Sequence, residues 1–272
     1  MLIDTHAHLN FNSFKKDLDS VIKRSLDSNV WMINVGSQFS TSELAVEISN
    51  KYEQGVYAAI GLHPINLETD LVKIKTDPEE THSKREIFDF QKYKDLSKKG
   101  KVVAVGETGL DYYYKPKTKN RLELFKKQQK DTLNQHLDLA QELNLAVIFH
   151  CRMAHNDMIE ILKSRTEIKG VIHCFTGNWE QAQKYLEMGL YLGFNGIIFK
   201  LDLDEIIKKT PLDRILIETD CPYLIPPLIN EKRNEPIFVK YIAERIAEIK
   251  GLDLNEIARA TTENAKNLFN LQ

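Results

Sequence analysis

His6 and His8 flank a single alanine near the start of the chain. Residues two apart on a β-strand point to the same face. The pair therefore presents two imidazoles to one point, a geometry suited to a divalent metal. Four more metal-compatible side chains follow, each at the end of a short apolar run. They are Glu107 in Gly106-Glu107-Thr108-Gly109-Leu110-Asp111, His150, His173, and Asp220 in Glu218-Thr219-Asp220-Cys221-Pro222. Four histidines and two carboxylates exceed the roughly four ligands of one tetrahedral site. They suit two divalent ions that share a bridging carboxylate. Two such ions stabilise both the attacking and the leaving oxygen of an in-line displacement at phosphorus. The expected chemistry is phosphodiester hydrolysis by a water activated between the two ions, with Asp220 as proton acceptor. Mixed His and carboxylate ligands admit Mg, Mn or Zn.

These residues need a scaffold that brings distant strand ends together. Short apolar runs at residues 2–9, 31–35, 56–62, 102–107, 146–150, 170–173, 191–194 and 215–219 read as strands, several of them continuous Val/Ile/Ala stretches as expected for parallel strands buried on both faces. Amphipathic segments alternate with them. In 122–143, Leu133, Leu137, Ala140 and Leu143 recur at spacings of three and four, and 14–26 and 179–188 read similarly. Gly189 terminates the last of these. Two more helices are expected at 236–250 and 255–269. Eight βα units in 272 residues favour one (β/α)8 barrel spanning 1–272 over a doubly wound sheet, with the metal site at the C-terminal face of the strands. The stretch 66–85, rich in Thr, Asp, Glu and Lys, reads as a solvated excursion on that face.

Other side chains fit roles around the centre. His63, in Gly61-Leu62-His63-Pro64, lies at a strand end and suits a phosphate contact, a further metal or a loop hydrogen bond. Arg152, two residues after His150, leans toward the same mouth and suits phosphate binding, as does Arg233 in Lys232-Arg233-Asn234-Glu235-Pro236. Tyr112, Tyr113 and Tyr114, followed by Lys115, Lys117 and Lys119, mix ring faces with cations, a platform for single-stranded nucleic acid. Cys151, Cys174 and Cys221 each follow a proposed ligand. Alternation turns the first two toward the helix layer as small buried residues rather than thiolate ligands. His82, His136 and His155 read as surface or capping residues.

The net charge of −2 argues against a broad basic face gripping duplex DNA, so any nucleic-acid contact must come from a local groove. No run approaches the roughly 20 apolar residues of a membrane span, and no signal peptide is evident. Three cysteines without a CxxC fit a reducing cytoplasm. A monomer is compatible with the chain.

The chain resembles the TatD-type metal-dependent deoxyribonucleases, a branch of the amidohydrolase-like barrels, essentially end to end. The resemblance rests on Asp4-Thr5-His6-Ala7-His8-Leu9, the motifs around His63 and Glu107, His150-Cys151-Arg152, His173-Cys174-Phe175-Thr176-Gly177, Glu218 to Leu224 and Arg233-Asn234-Glu235-Pro236. It implies ligation by His6, His8, Glu107, His150, His173 and Asp220, with Glu107 as the bridge where other amidohydrolases place a carboxylated lysine. It also implies a DNA substrate attacked as single strands or at 3′ ends. Two departures stand out: Ile229-Asn230-Glu231 where relatives are small or basic, and a longer 66–85 excursion. The rival readings are a metallohydrolase of ester or C–N bonds and a non-catalytic nucleic-acid-binding barrel, for which six ligands have no use.

Overall fold

The computed structural model describes residues 1–72, 77–80, 85–165 and 167–272. Among them eight parallel strands pair in chain order, β1 (Leu2–Ala7), β2 (Val30–Val35), β3 (Val56–Ile60), β4 (Val102–Asp111), β5 (Ala146–Arg152), β6 (Gly170–Ile172), β7 (Tyr191–Phe194) and β8 (Ile215–Ile217). The sheet closes where β1 meets the segment after β8. Ala7 bridges Cys221, Asp220 N donates to His6 O at 2.8 Å, and His8 N donates to Cys221 O at 2.9 Å. The alternating helices are α1 (Leu18–Asp27), α2 (Phe39–Asn50), α3 (Phe90–Ser97), α4 (Lys119–Leu143), α5 (His155–Lys163), α6 (Trp179–Glu187), α7 (Asp204–Lys209), α8 (Val239–Lys250) and α9 (Leu254–Phe269). This is the (β/α)8 barrel expected from the alternation. The ends of β1, β6 and β8 fall short of the sequence reading because His8, His173 and Thr219 belong to the turns just above the barrel.

The interior is one apolar cluster drawn from seven strands, including Ile3, Ile33, Tyr57, Ala104, Ile148, Val171 and Leu216, closed from below by Leu268 and Phe269 of α9. Simple alternation carries this inward face from Ile148 to His150 on β5 and from Val171 to His173 after β6. On β1 and β4 it does not. Ile3 and Ala104 face inward, yet so do His6, His8 and Glu107, which have the opposite parity. The pairing register shifts between Asp4 and Ala7 and again between Val105 and Thr108. Such an irregularity re-aims the side chains beyond it. Two register breaks therefore turn three of the expected ligands into the barrel mouth.

The long helix α4 buries Phe125, Gln129, Leu133, His136, Leu137 and Ala140 on one stripe. Its Gln129 clamps the end of β4, accepting from Asp111 N at 2.8 Å and donating to Asp111 O at 3.0 Å. His136, expected at the surface, is fully buried. Its Nε2 accepts from Leu62 N at 3.0 Å, so the ring fixes the β3 turn that carries His63. His155 is also buried, with Nδ1 3.1 Å from Tyr185 Oη.

The 66–85 stretch is docked where it is described, rather than solvated. Leu67 bridges Glu86, Asn12 N donates to Glu79 O at 2.8 Å, and Asn66 Nδ2 donates to Glu80, which is buried. His82 lies outside the described residues. No helix among the described residues is long and apolar enough to cross a membrane.

Candidate active site

The six expected ligands converge at the top of the barrel around Glu107. One carboxylate oxygen, Oε2, lies 3.4 Å from His6 Nε2 and 3.9 Å from His8 Nε2. The other, Oε1, lies 2.8 Å from His150 Nδ1, 3.5 Å from His63 Nε2 and 3.7 Å from His173 Nε2. Asp220 Oδ1 stands 3.5 Å from His8 Nε2 and 3.9 Å from His6 Nε2. Glu107 thus turns Oε2 to His6 and His8 and Oε1 to His150, His63 and His173. Among the described residues the groups close enough to hold an ion are His6–His8–Asp220, His6–Glu107–His173, His63–Glu107–His150 and His173–Cys174–Asp220.

The local backbone holds this arrangement. Asp4, fully buried, accepts from Thr219 N at 2.8 Å and Thr219 Oγ1 at 2.5 Å, tying β1 to the turn that presents Asp220. That turn places Asp220 at φ 57°, a left-handed conformation costly for a side chain other than Gly, Asn or Asp. His8 Nδ1 donates to Val35 O at 2.9 Å, which leaves the Nε2 lone pair free to ligate. His173 Nδ1 lies 2.8 Å from Glu218 Oε1, which also accepts from Cys174 N at 2.7 Å. His150 Nε2 is 3.0 Å from Asp111 Oδ2.

These groups fit a metal. His6 Nε2 and His8 Nε2 face each other at 3.1 Å, a contact that holds at most one proton, and His6 Nδ1 has no hydrogen-bond partner. Six carboxylates, Asp77, Glu80, Glu107, Asp111, Glu218 and Asp220, gather in or beside the cavity with one arginine, Arg152. Buried negative charge of that size calls for cations. The donor set, imidazole nitrogens and carboxylate oxygens, suits divalent transition metals and magnesium-like ions alike.

The metal-free electrostatics follow from the same contacts. Burial opposes charge on His150 and His173. Asp111 and Glu107 around the first, and Glu218 and Glu107 around the second, outweigh it and raise these rings to about 9 and about 10. Burial likewise opposes charge on Glu107 and Asp220, but the surrounding histidines hold both below the usual carboxylate range. His63 goes the other way: burial lowers it to about 3. Its Nδ1 accepts from Ile65 N at 3.1 Å, so the neutral ring carries its proton on Nε2, pointing at the centre. His63 is therefore built as a donor.

A model of the TatD-related DNases matches residues 3–270. The chain belongs to this family. A Bacillus subtilis protein named as the uncharacterized metal-dependent hydrolase YabD is 41% identical, with 100% of each chain covered. A protein of Erwinia tasmaniensis named 3′-5′ ssDNA/RNA exonuclease TatD is 33% identical over 99% of this chain and 100% of its own length. The crystal structure of YjjV, a TatD homologue from Escherichia coli K12, superposes with a TM-score of 0.82 at 26% identity, covering 100% of this chain and 98% of the other.

A cavity of about 350 Å³ opens over the centre of this TatD-family chain, lined among others by His63, Arg152 and Asp220. Arg152 Nη2 binds Asp111 Oδ2 at 2.7 Å, and its guanidinium lies 4.6 Å from the Tyr113 ring centroid and 5.6 Å from that of Tyr114. Tyr113 and Tyr114 are exposed beside it. Tyr112 is buried, its hydroxyl bonded to Asp157 at 2.8 Å, and offers no stacking face.

Arg233 is not brought to the cavity. Its Nη2 pairs with Asp17 at 2.5 Å and Glu235 at 3.0 Å, its Nη1 donates to Ser13 O, and it covers the Phe14 ring. The motif around it buttresses the site instead: Asn234 Nδ2 donates to Thr219 O at 2.9 Å, one residue before Asp220. Cys151 packs into the helix layer as expected. Cys174 does not, because a left-handed φ of 46° turns it to the cavity, where its thiol joins His173 and Asp220 in a possible ligand group.

Sequence reasoning missed Asp111, Glu218, Asp77 and Glu80. The first two sat inside recognised motifs, and Glu218 shares the inward parity of Leu216. Glu218→Gln should weaken metal binding about 10- to 100-fold, because an anion behind a ligating histidine fixes its ring and raises its basicity. Metal titration of the stripped variant checks this; wild-type affinity would show that Glu218 only fills the core.

Proposed function

We propose that this chain is a metal-dependent phosphodiesterase that shortens single-stranded nucleic acid from its 3′ end. The observation that carries the proposal is the division of Glu107, one oxygen toward each of two histidine sets, beneath a mouth edged by Arg152, Tyr113 and Tyr114. The family supports it, and so does the printed activity of the Erwinia relative. His6, His8 and Asp220 would hold one divalent ion and His150 and His173 a second, with Glu107 shared. Bound there, such ions supply positive charge to the attacking and leaving oxygens.

The chain's own residues do the rest. Asp220, a carboxylate at neutral pH, accepts the proton of the attacking water at Oδ1 as the new bond to phosphorus forms. The phosphorus–oxygen bond to the departing sugar breaks, and that sugar's 3′-oxygen takes a proton from solvent water. His63 Nε2–H and the Arg152 guanidinium donate to phosphoryl oxygens, and developing charge there strengthens both bonds. Tyr113 and Tyr114 offer ring faces to unpaired bases, which a duplex keeps stacked. The three free cysteines fit action in the reducing cytoplasm.

The test is a matrix of metal-stripped protein with Mg, Mn, Zn or Co against single- and double-stranded DNA, RNA, a small phosphodiester, and ester and amide substrates. Chelation should abolish strand shortening. Tyr113→Ala should lower turnover of single strands by about 10-fold or more while sparing the small diester, as expected for lost stacking. Arg152→Ala should instead slow both substrates, because its guanidinium donates to the reacting phosphoryl oxygens. A protein inert on nucleic acid with every metal yet active on an ester or amide would overturn the proposal.

A further inference from the structure

The mouth is chemically lopsided. Arg152 stands at the end of β5, next to Asp111 at the end of β4. In a barrel paired in chain order from β1 to β8, the fifth strand lies across from the first. The opposite rim gathers above β1, β2 and β8, and there the docked part of the 66–85 stretch contributes two acids to the cavity lining, Asp77 and Glu80. Asp77 Oδ2 accepts from Tyr223 Oη at 2.8 Å, and Asp77 Oδ1 accepts from Glu79 N at 2.9 Å. Glu80 is held by Asn66 Nδ2 at 2.8 and 3.0 Å. The segment is fastened to the turn after β1 by Asn12, whose side chain donates to Pro78 O at 2.7 Å.

We propose that Asp77 and Glu80 read the end of the strand, accepting hydrogen bonds from the free 3′-hydroxyl of the terminal nucleotide and excluding a terminal 3′-phosphate. The inference rests on the phosphodiesterase reading above. A chain lying over the metal centre must send its anionic backbone toward Arg152 and away from the two carboxylates. The nucleotide beyond the scissile phosphate then enters the acidic half of the cavity. For hydrolysis from the 3′ end, that nucleotide carries a hydroxyl and no further phosphate.

The chemistry matches. A carboxylate oxygen has two acceptor sites and no donor, so each acid keeps capacity for a sugar hydroxyl beyond its internal partners. A phosphate placed there would set two negative charges beside two more. Burial already raises Glu80 above the usual carboxylate range, so this corner of the cavity is poorly solvated and like charge is costly in it. Asp77 and Glu80 line the same cavity of about 350 Å³ as His63, Arg152 and Asp220. The acids thus also account for stepwise action: an internal phosphodiester, with another phosphate downstream, cannot be seated.

The experiment uses 5′-labelled single-stranded DNA ending in a 3′-hydroxyl or a 3′-phosphate, with wild type, Asp77→Asn and Glu80→Gln in the metal-loaded full chain. Wild type should degrade the hydroxyl end faster by a factor on the order of 100, the scale of like-charge exclusion at a desolvated contact. Each isosteric variant should shrink that ratio several-fold, chiefly by gaining rate on the phosphate end. A second measurement needs no variant: a nucleoside 5′-monophosphate should inhibit wild type, and the corresponding 3′,5′-bisphosphate should inhibit about 10-fold more weakly or not at all. Brisk release from both ends at equal rates, or variants slowed equally on both, overturns this inference and leaves the phosphodiesterase reading standing. No release from either end overturns that reading and the inference with it.

Discussion

Glu107→Ala is expected to lower turnover by a factor on the order of 1000 with every metal, because it removes the anion whose two oxygens face the His6 and His150 sides of the centre. If the centre holds two ions, as proposed, the same change should reduce bound metal to one or none. Glu107→Gln separates charge from shape: it keeps the side-chain volume and one acceptor oxygen, but its amide nitrogen cannot ligate. If Glu107 bridges, Gln fails almost as badly as Ala. If the residue only orients His150, which it contacts at 2.8 Å, Gln should restore most of the activity. Metal analysis of both variants, beside their turnover, decides between these. A Glu107→Ala protein that holds two ions and works normally would remove the basis of the two-set reading.

Much of the centre was legible in the sequence because parallel barrels collect strand ends, and apolar runs mark where strands end. His150 and His173 continue an inward face by simple alternation. His6, His8 and Glu107 do so only through register breaks in β1 and β4, and nothing in the local residue pattern sets the parity of a bulged strand. The pairing of His6 with His8 survived because both lie beyond the break. Arg233 shows the converse error. A cation close to a functional motif invites a phosphate role, but Asp17 and Glu235, one of them 216 residues away in sequence, claim its guanidinium. Asp77 and Glu80 failed for a similar reason. A Thr-, Asp- and Glu-rich stretch reads as solvated until its own Asn66 and the distant Asn12 and Tyr223 are known to hold Glu80, Pro78 and Asp77. Cys174 was misplaced because alternation ends where the strand ends, and its left-handed φ re-aims the thiol.

Metal affinity should depend steeply on pH, and in a window higher than free histidine would give. An ordinary histidine titrates near 6.5, yet the carboxylates around His150 and His173 hold these rings protonated to about 9 and about 10 in the metal-free protein. Their folded values exceed the unfolded one, so their stabilisation of the metal-free fold is complete below pH about 6.5 and is lost as pH rises through 9 to 10. A metal must displace the same protons to reach the ring nitrogens. Between pH 7 and 9, apparent affinity should therefore rise about tenfold per pH unit for each proton displaced. His8, raised by Asp220 and Glu107 against its burial, contributes in the same sense, while His6 and His63, which burial keeps neutral, add nothing to this slope. Calorimetric titration of the stripped protein in buffers of different ionisation enthalpy counts the protons directly. Release of two or more protons at pH 7 is the expected result if His150 and His173 both ligate; affinity flat from pH 7 to 9 would mean that neither ring is a ligand. At limiting metal, activity should follow the affinity curve upward with pH. At saturating metal the bound ions hold the rings deprotonated, so the activity profile should move to lower pH, and the distance between the two profiles measures how strongly the ions outcompete protons for the centre.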